Sequence, residues 1–172
     1  MRSHPGSRVL VVSVTEDQAE LMLARILDWL PPGVVAKGKN KPTKHKVVLN
    51  NKSWVMTKAA GSTGAGMRGL TVDVVIVDEA AHVPEIVFSV LSPMLLTTGG
   101  RMWLLSTPNA MEGYFFKCYT DPAMGFVTFH VNSSLAFGCS YCSFGLVCLG
   151  SYIVSRQLSI ARLIQSSTSF IL

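Results

Sequence analysis

The stretch VDVVIVDEAAH at residues 72–82 constrains the fold more than any other part of the chain. Its apolar run, Val74 to Val77, is β-branched throughout and offers no alternate polar positions to water. That is the pattern of a strand buried on both faces, as in a parallel sheet. The run ends in two adjacent carboxylates, Asp78 and Glu79, so a buried strand delivers acids at its carboxyl end.

Other segments repeat the theme. RVLVVSV (8–14) and RMWLLSTP (101–108) read as buried strands, and FVTFHV (126–131) as the last strand. Thr15 caps a helix, with Gln18 completing a capping box and Leu21, Ile26, Leu27 and Leu30 on or near one face; Pro31 and Pro32 end it. KVVL (46–49) and SWVMTKA (53–59) flank a polar NNK, a tight hairpin. Pro84 opens a helix through about Leu96, TGG at 98–100 breaks it, and residues 112–119 form a short helix.

Strands alternating with helices make an α/β chain with a mostly parallel sheet. Such sheets bind ligands outside the carboxyl ends of their strands. Asp78 and Glu79 end one strand there, and Ser106 and Thr107 end another. Nucleotide hydrolysis needs this combination: one carboxylate holds the magnesium that bridges phosphates, and a second orients and deprotonates water. A strand ending in Asp-Glu also suits a simple helix cap, and these residues alone leave both readings open.

The net charge of +5 over 172 residues is unevenly spread. Residues 1–60 hold ten basic and four acidic side chains, 61–130 three and six, and 131–172 two and none. The basic excess centres on KGKNKPTKHK (37–46), whose Lys37, Lys39, Lys41, Lys44 and Lys46 make either a solvated loop or a patch for a polyanion backbone. Cys118, Cys139, Cys142 and Cys148 contain one C-x-x-C pair without a partner cluster, so a metal centre is not expected. The opening residues lack a signal-peptide core, and reduced cytosolic thiols are expected. GSTGAGMR (61–68) almost spells the phosphate loop G-x-x-x-x-G-K-[ST], but it follows a hairpin and leads into a strand, whereas a phosphate loop follows a strand and opens a helix.

Taken together, VTEDQAELMLARIL, the hairpin, GMRGLTVDVVIVDEAAHVPE, SPML and GGRMWLLSTPNAMEGYFFKCY, in this order, resemble the ATPase domain of the large terminase subunit, the DNA-packaging motor of tailed phages. The likeness covers about residues 8–130 and implies an ASCE or RecA-like P-loop NTPase fold. By that resemblance VVIVDEAA is the Walker B segment, with Asp78 on magnesium and Glu79 the catalytic base. LLSTP is the motif coupling hydrolysis to movement through Ser106 and Thr107. Arg68 becomes a trans arginine finger aimed at a neighbouring subunit's ATP. The resemblance further implies Mg2+ and ATP as cofactors, double-stranded DNA, portal and small terminase subunit as partners, a homo-oligomeric ring, and the host cytoplasm as location.

The family's lysine-bearing phosphate loop is absent from these residues. The expectation is therefore an incomplete P-loop NTPase sheet with flanking helices, its P-loop strand missing, that hydrolyses ATP poorly alone. Residues 1–131 form the partial ATPase domain. Residues 132–172 match no motif and form an apolar, serine-rich tail that reads as a frameshift product or mis-called gene end, with a membrane span the minority reading. A superfamily 2 helicase-like ATPase fragment, and a non-catalytic relic with a basic DNA-contacting loop, remain the alternatives.

Overall fold

The computed structural model describes residues 4–107, 109, 111–131 and 151–157. The strands are β1 (Arg8–Ser13), β2 (Lys46–Val48), β3 (Trp54–Ala59), β4 (Val74–Val77), β5 (Arg101–Ser106), β6 (Val127–Val131) and β7 (Ser151–Gln157). The helices are α1 (Glu16–Trp29), α2 (Glu85–Leu96) and α3 (Gly113–Thr120). One sheet holds all seven strands in the order β2-β3-β1-β4-β5-β7-β6. Its core, β3-β1-β4-β5, is parallel. β2 pairs antiparallel with β3 at one side, while β7 pairs antiparallel with both β5 and β6 at the other. The expected mixed α/β sheet with flanking helices is present.

Two helical layers cover the two sheet faces unequally. Leu10 and Val12 of β1, Val75 and Val77 of β4, and Met102 and Leu104 of β5 share one face with Val87, Phe88, Leu91 and Leu95 of α2 and Phe115 of α3. This is the larger core, and Phe88 stacks on Tyr114 within it, ring centroids 4.3 Å apart. On the other face Val9, Val11, Val47 and Val55 pack under Leu23 of α1. There Val74, Ile76 and Trp103 line an open hollow, because α1 lies over β1 and β3 rather than over β4 and β5.

Local chemistry sets the element ends. The Thr15 hydroxyl accepts from the Gln18 N–H, and the Gln18 side chain accepts from the Thr15 N–H, which completes the expected capping box. The apolar stripe of α1 differs from expectation at one position. Ala19 and Leu23 are buried with Ile26, Leu27 and Leu30 behind them, whereas Leu21 is mostly exposed. Two residues from Ala19 or Leu23 is about 200° around a helix, so Leu21 faces solvent. Gly100 is required by space: a Cβ there would lie 2.6 Å from the Asp73 carbonyl oxygen. The Gly100 and Arg101 N–H groups close the turn into β5 by bonding to Leu95 and Asp73 carbonyls.

One strand was not expected. Residues 126–131 read as the last strand, yet β7 follows and inserts between β5 and β6, each of its β5-paired residues in register from Arg101↔Gln157 to Ser106↔Tyr152. β7 belongs to the sequence region read as an apolar tail, and the rest of that tail lies outside the described residues. No described helix is long and apolar enough to cross a membrane.

Candidate functional site

The carboxyl ends of β4 and β5 meet at the Asp78–Glu79 corner. The Asp78 N–H donates to the Val12 carbonyl at 2.8 Å, the last rung tying this segment to β1. The chain then reverses at Glu79, which adopts the left-handed conformation with φ 52° and ψ 44°. A non-glycine residue there is held against a cost of order 1 kcal/mol, and such positions cluster at functional sites. The Glu79 carbonyl accepts from His82 N–H at 2.8 Å, forming the single 3-10 turn Ala80–His82 that leads to α2.

Ser106 fastens this corner to β5. Its hydroxyl accepts from the Ala81 N–H at 3.1 Å and donates toward Glu79 Oε2 at 3.5 Å, and the residue is 5% exposed. Thr107 follows, half-buried. The structure therefore brings Asp78, Glu79, Ser106 and Thr107 to one place. It adds a link that sequence reasoning missed: Asn109 Nδ2 lies 3.3 Å from His82 Nδ1, joining the segment beyond the serine to the turn beyond the carboxylates. A signal existed, since His82 ends DEAAH and Asn109 follows STP, but nothing in the spacing announces that the two side chains meet.

The electrostatics of the corner favour a cation. Burial pushes the Asp78 carboxyl above the ordinary carboxylate range, and the neighbouring Glu79 charge pushes the same way. A bound divalent ion would relieve both effects. Magnesium suits hard carboxylate oxygens and takes one or two of them together with substrate phosphates rather than a full protein cage. The donor set is of this oxygen type: two neighbouring carboxylates with the Ser106 hydroxyl beside Glu79.

Arg68 lies elsewhere. The 61–69 loop is pinned by Met67, 1% exposed in the larger core, and turns through Gly64 at φ 66° against Val87 of α2. Arg68 itself is exposed and borders a shallow groove of about 440 Å³ with Ser89, Pro93 and Thr97 on the flank of α2. That groove does not include Asp78 or Glu79.

The lysine run divides in two. At its C-terminal end Lys44 Nζ lies 3.4 Å from Glu20 Oε1, and Lys46 Nζ sits 5.0 Å above the Trp54 ring. Between them His45 Nε2 faces Glu16 at 3.4 Å and Glu20 at 3.8 Å. These contacts moor the loop on α1 and β3. Lys37, Lys39 and Lys41 surround the 3-10 turn Gly38–Asn40, exposed and without an ion pair among the described residues.

No protein-family model matches the chain, and no curated protein matches it. Solved structures do. The large terminase ATPase domain of Thermus phage P74-26 superposes with a TM-score of 0.52 at 25% identity, covering 68% of this chain and 53% of that one. A mutant of the same domain gives 0.51 at 24% identity, over 68% and 54%. The large terminase of a second, thermophilic bacteriophage gives 0.55 at 16% identity, over 73% of this chain and 32% of that one. The chain thus spans about half the length of the first two and about a third of the last. The chain has the fold of the ATPase domains of phage large terminases.

Proposed function

We propose that the chain is part of a phage DNA-packaging ATPase, a motor that couples ATP hydrolysis to the movement of double-stranded DNA into a procapsid. The observation that carries this reading is the meeting of Asp78, Glu79 and Ser106 at adjacent strand ends, in a sheet with the terminase ATPase fold. In this reading Asp78 holds Mg2+, which when bound neutralises charge on the nucleotide phosphates. Glu79 takes the proton of the attacking water, and Ser106 keeps its carboxylate in place. Thr107, with Ser106, transmits the state of the site along the strand ends.

Arg68 stands outside the corner, so any action on a nucleotide is on that of a neighbouring subunit in a homo-oligomeric ring. Lys37, Lys39, Lys41, Lys44 and Lys46 form the DNA-facing side, the first three as phosphate contacts and the last two as its mooring. Portal and small terminase subunit are the protein partners, and the host cytoplasm the place of action. Residues 1–131 are the partial ATPase domain; 132–172 matches none of its motifs, although β7 of that region joins the sheet.

The 172 residues contain no G-x-x-x-x-G-K-[ST]. A carboxylate pair without a phosphate cradle binds nucleotide weakly, so the 172-residue chain alone hydrolyses ATP at background rate. The decisive experiment joins this chain to a phosphate-loop segment read from the coding DNA upstream and measures DNA-stimulated ATPase. Glu79→Gln should lower turnover about 10²–10⁴-fold, the usual loss of a general base, with nucleotide affinity retained. Turnover indifferent to Glu79 overturns the reading.

A further inference from the structure

The sheet gives the carboxylate corner two sides. Val75 and Val77 of β4 point into the larger core, and Val74 and Ile76 point toward α1. Asp78 continues the pairing with β1, its N–H on the Val12 carbonyl, so strand alternation turns its side chain to the α1 side. Ser13 does the same on β1, where its buried hydroxyl lies 3.1 Å from Met22 Sδ of α1. That contact sets α1 beside the carboxyl ends of β1 and β4. Arg25 stands three residues after Met22, about 60° farther around the same flank of the helix. Ile26, next in the chain, lines the hollow with Val74 and Ile76. Helix side chains lean toward the helix N-terminus, and α1 begins just beyond the carboxyl end of β1, so Arg25 leans toward the corner. Its charge is felt there: against the burial and the Glu79 charge that raise the Asp78 carboxyl, Arg25 is the cationic side chain that draws it down.

We infer that Arg25 contacts nucleotide phosphates from α1, in the same subunit as Asp78. Arg25 is exposed and makes no ion pair among the described residues, whereas Glu16 and Glu20 on the other flank of α1 face His45 and Lys44. A plain counter-charge to Asp78 would close into an ion pair with it. The two groups instead stand apart, which leaves room for a ligand between them. Phosphates that share a magnesium with Asp78 would fill that room, and the planar fork of arginine N–H donors matches phosphate oxygens. The inference rests on the reading of Asp78 as the magnesium holder and adds to it a phosphate contact within one subunit, distinct from Arg68, which stands outside the corner.

Mn2+, a paramagnetic substitute for Mg2+, and tripolyphosphate test it on the 172-residue chain without turnover. Water-proton relaxation reads Mn2+ binding, and calorimetric titration reads tripolyphosphate added to the Mn2+-loaded chain. Arg25→Gln should weaken tripolyphosphate binding about tenfold, the worth of a charge-assisted hydrogen bond. The same variant should bind Mn2+ alone as tightly as the parent or more so, because a like charge has gone. Arg25→Lys keeps the charge, loses the fork and should fall between; it carries the comparison if far-UV circular dichroism shows Arg25→Gln unfolded. Lys52→Gln, a cation removed at the opposite end of the strands, should change neither. If Arg25→Gln loses Mn2+ affinity, Arg25 only supports Asp78 and the proposal fails. It fails too if the parent takes up no tripolyphosphate at millimolar concentration, or if the variant takes it up equally well. Mn2+ binding indifferent to Asp78→Asn overturns Asp78 as the magnesium holder, and the Arg25 comparison still decides the phosphate contact.

Discussion

Glu79 shows what a residue's identity conveys and what it hides. That an acid follows Asp78 at the end of a buried strand is plain in VVIVDE; that its backbone is left-handed is not, because glutamate has no preference for that region. The conformation is imposed by the turn to His82 and by Ser106, which are assembled only in the fold. If the corner is strained, a β-branched residue should suffer there and asparagine should not. Glu79→Val is expected to lose about 1–2 kcal/mol in urea unfolding, and Glu79→Asn to stay within about 0.5 kcal/mol. Equal losses would mean that the side chain's contacts, not the backbone, set the cost. Asp73 makes a second case, also hidden in the sequence by 65 residues of separation. Its carboxylate accepts from the Arg8 guanidinium at 2.9 and 3.1 Å and from the Arg8 N–H at 2.7 Å. The Arg8 side chain holds the carboxyl below its ordinary value of 3.8 despite partial burial. A lowered value in the fold means stability that is present above 3.8 and lost as pH falls through the lower folded value. Asp73→Asn should therefore be less stable than the parent at pH 7, by the modest margin of a partly exposed pair, about 0.2–1 kcal/mol, and the gap should close as pH falls below 3.8. A gap that does not shrink in acid would place the effect in packing instead.

Elements with strong local signals were legible, and those made by long-range partners were not. The capping box, the β2–β3 hairpin, α2 and the three parallel strands follow from cap chemistry, turn residues and unbroken apolar runs, although β4 and β5, read as buried on both faces, are fully buried on one face only. β7 escaped because a serine-rich stretch, SYIVSRQ, becomes a strand only through the β5 and β6 edges that flank it. The 61–69 loop stands between these cases. Four glycines announce an irregular path, but only the structure distinguishes its two neighbouring residues: Met67 is an anchor in the core and Arg68 is free at the surface. Met67→Ala should cost about 2–4 kcal/mol by emptying a core site, whereas Arg68→Ala should change stability by less than about 0.5 kcal/mol. Chemical denaturation of the two variants decides it; a large loss at Arg68 would show that the arginine holds the loop and is not available to a neighbour.

At the scale of the whole molecule the uneven charge becomes a geometric statement. The acidic corner sits at the carboxyl ends of β4 and β5, near the middle of the sheet, and the lysine run lies at the β2 edge, moored on the first turns of α1. The sequence made the lysine run visible but treated its five lysines alike. The fold does not, because Lys44 and Lys46 are occupied by Glu20 and Trp54, and Lys37, Lys39 and Lys41 are not. Each lysine that neutralises a DNA phosphate contributes about 0.9 to the slope of log affinity against log salt. Replacing Lys37, Lys39 and Lys41 together by alanine should flatten that slope by about 2.7, without dependence on DNA sequence. Replacing Lys44 and Lys46 should leave the slope near the parent's and loosen the loop instead, visible as faster amide exchange across residues 37–46. Fluorescence anisotropy on a labelled duplex, titrated at several salt concentrations, reads the slopes of both. If the triple variant keeps the parent's slope, the run is only a solvated loop and the DNA path lies over another surface.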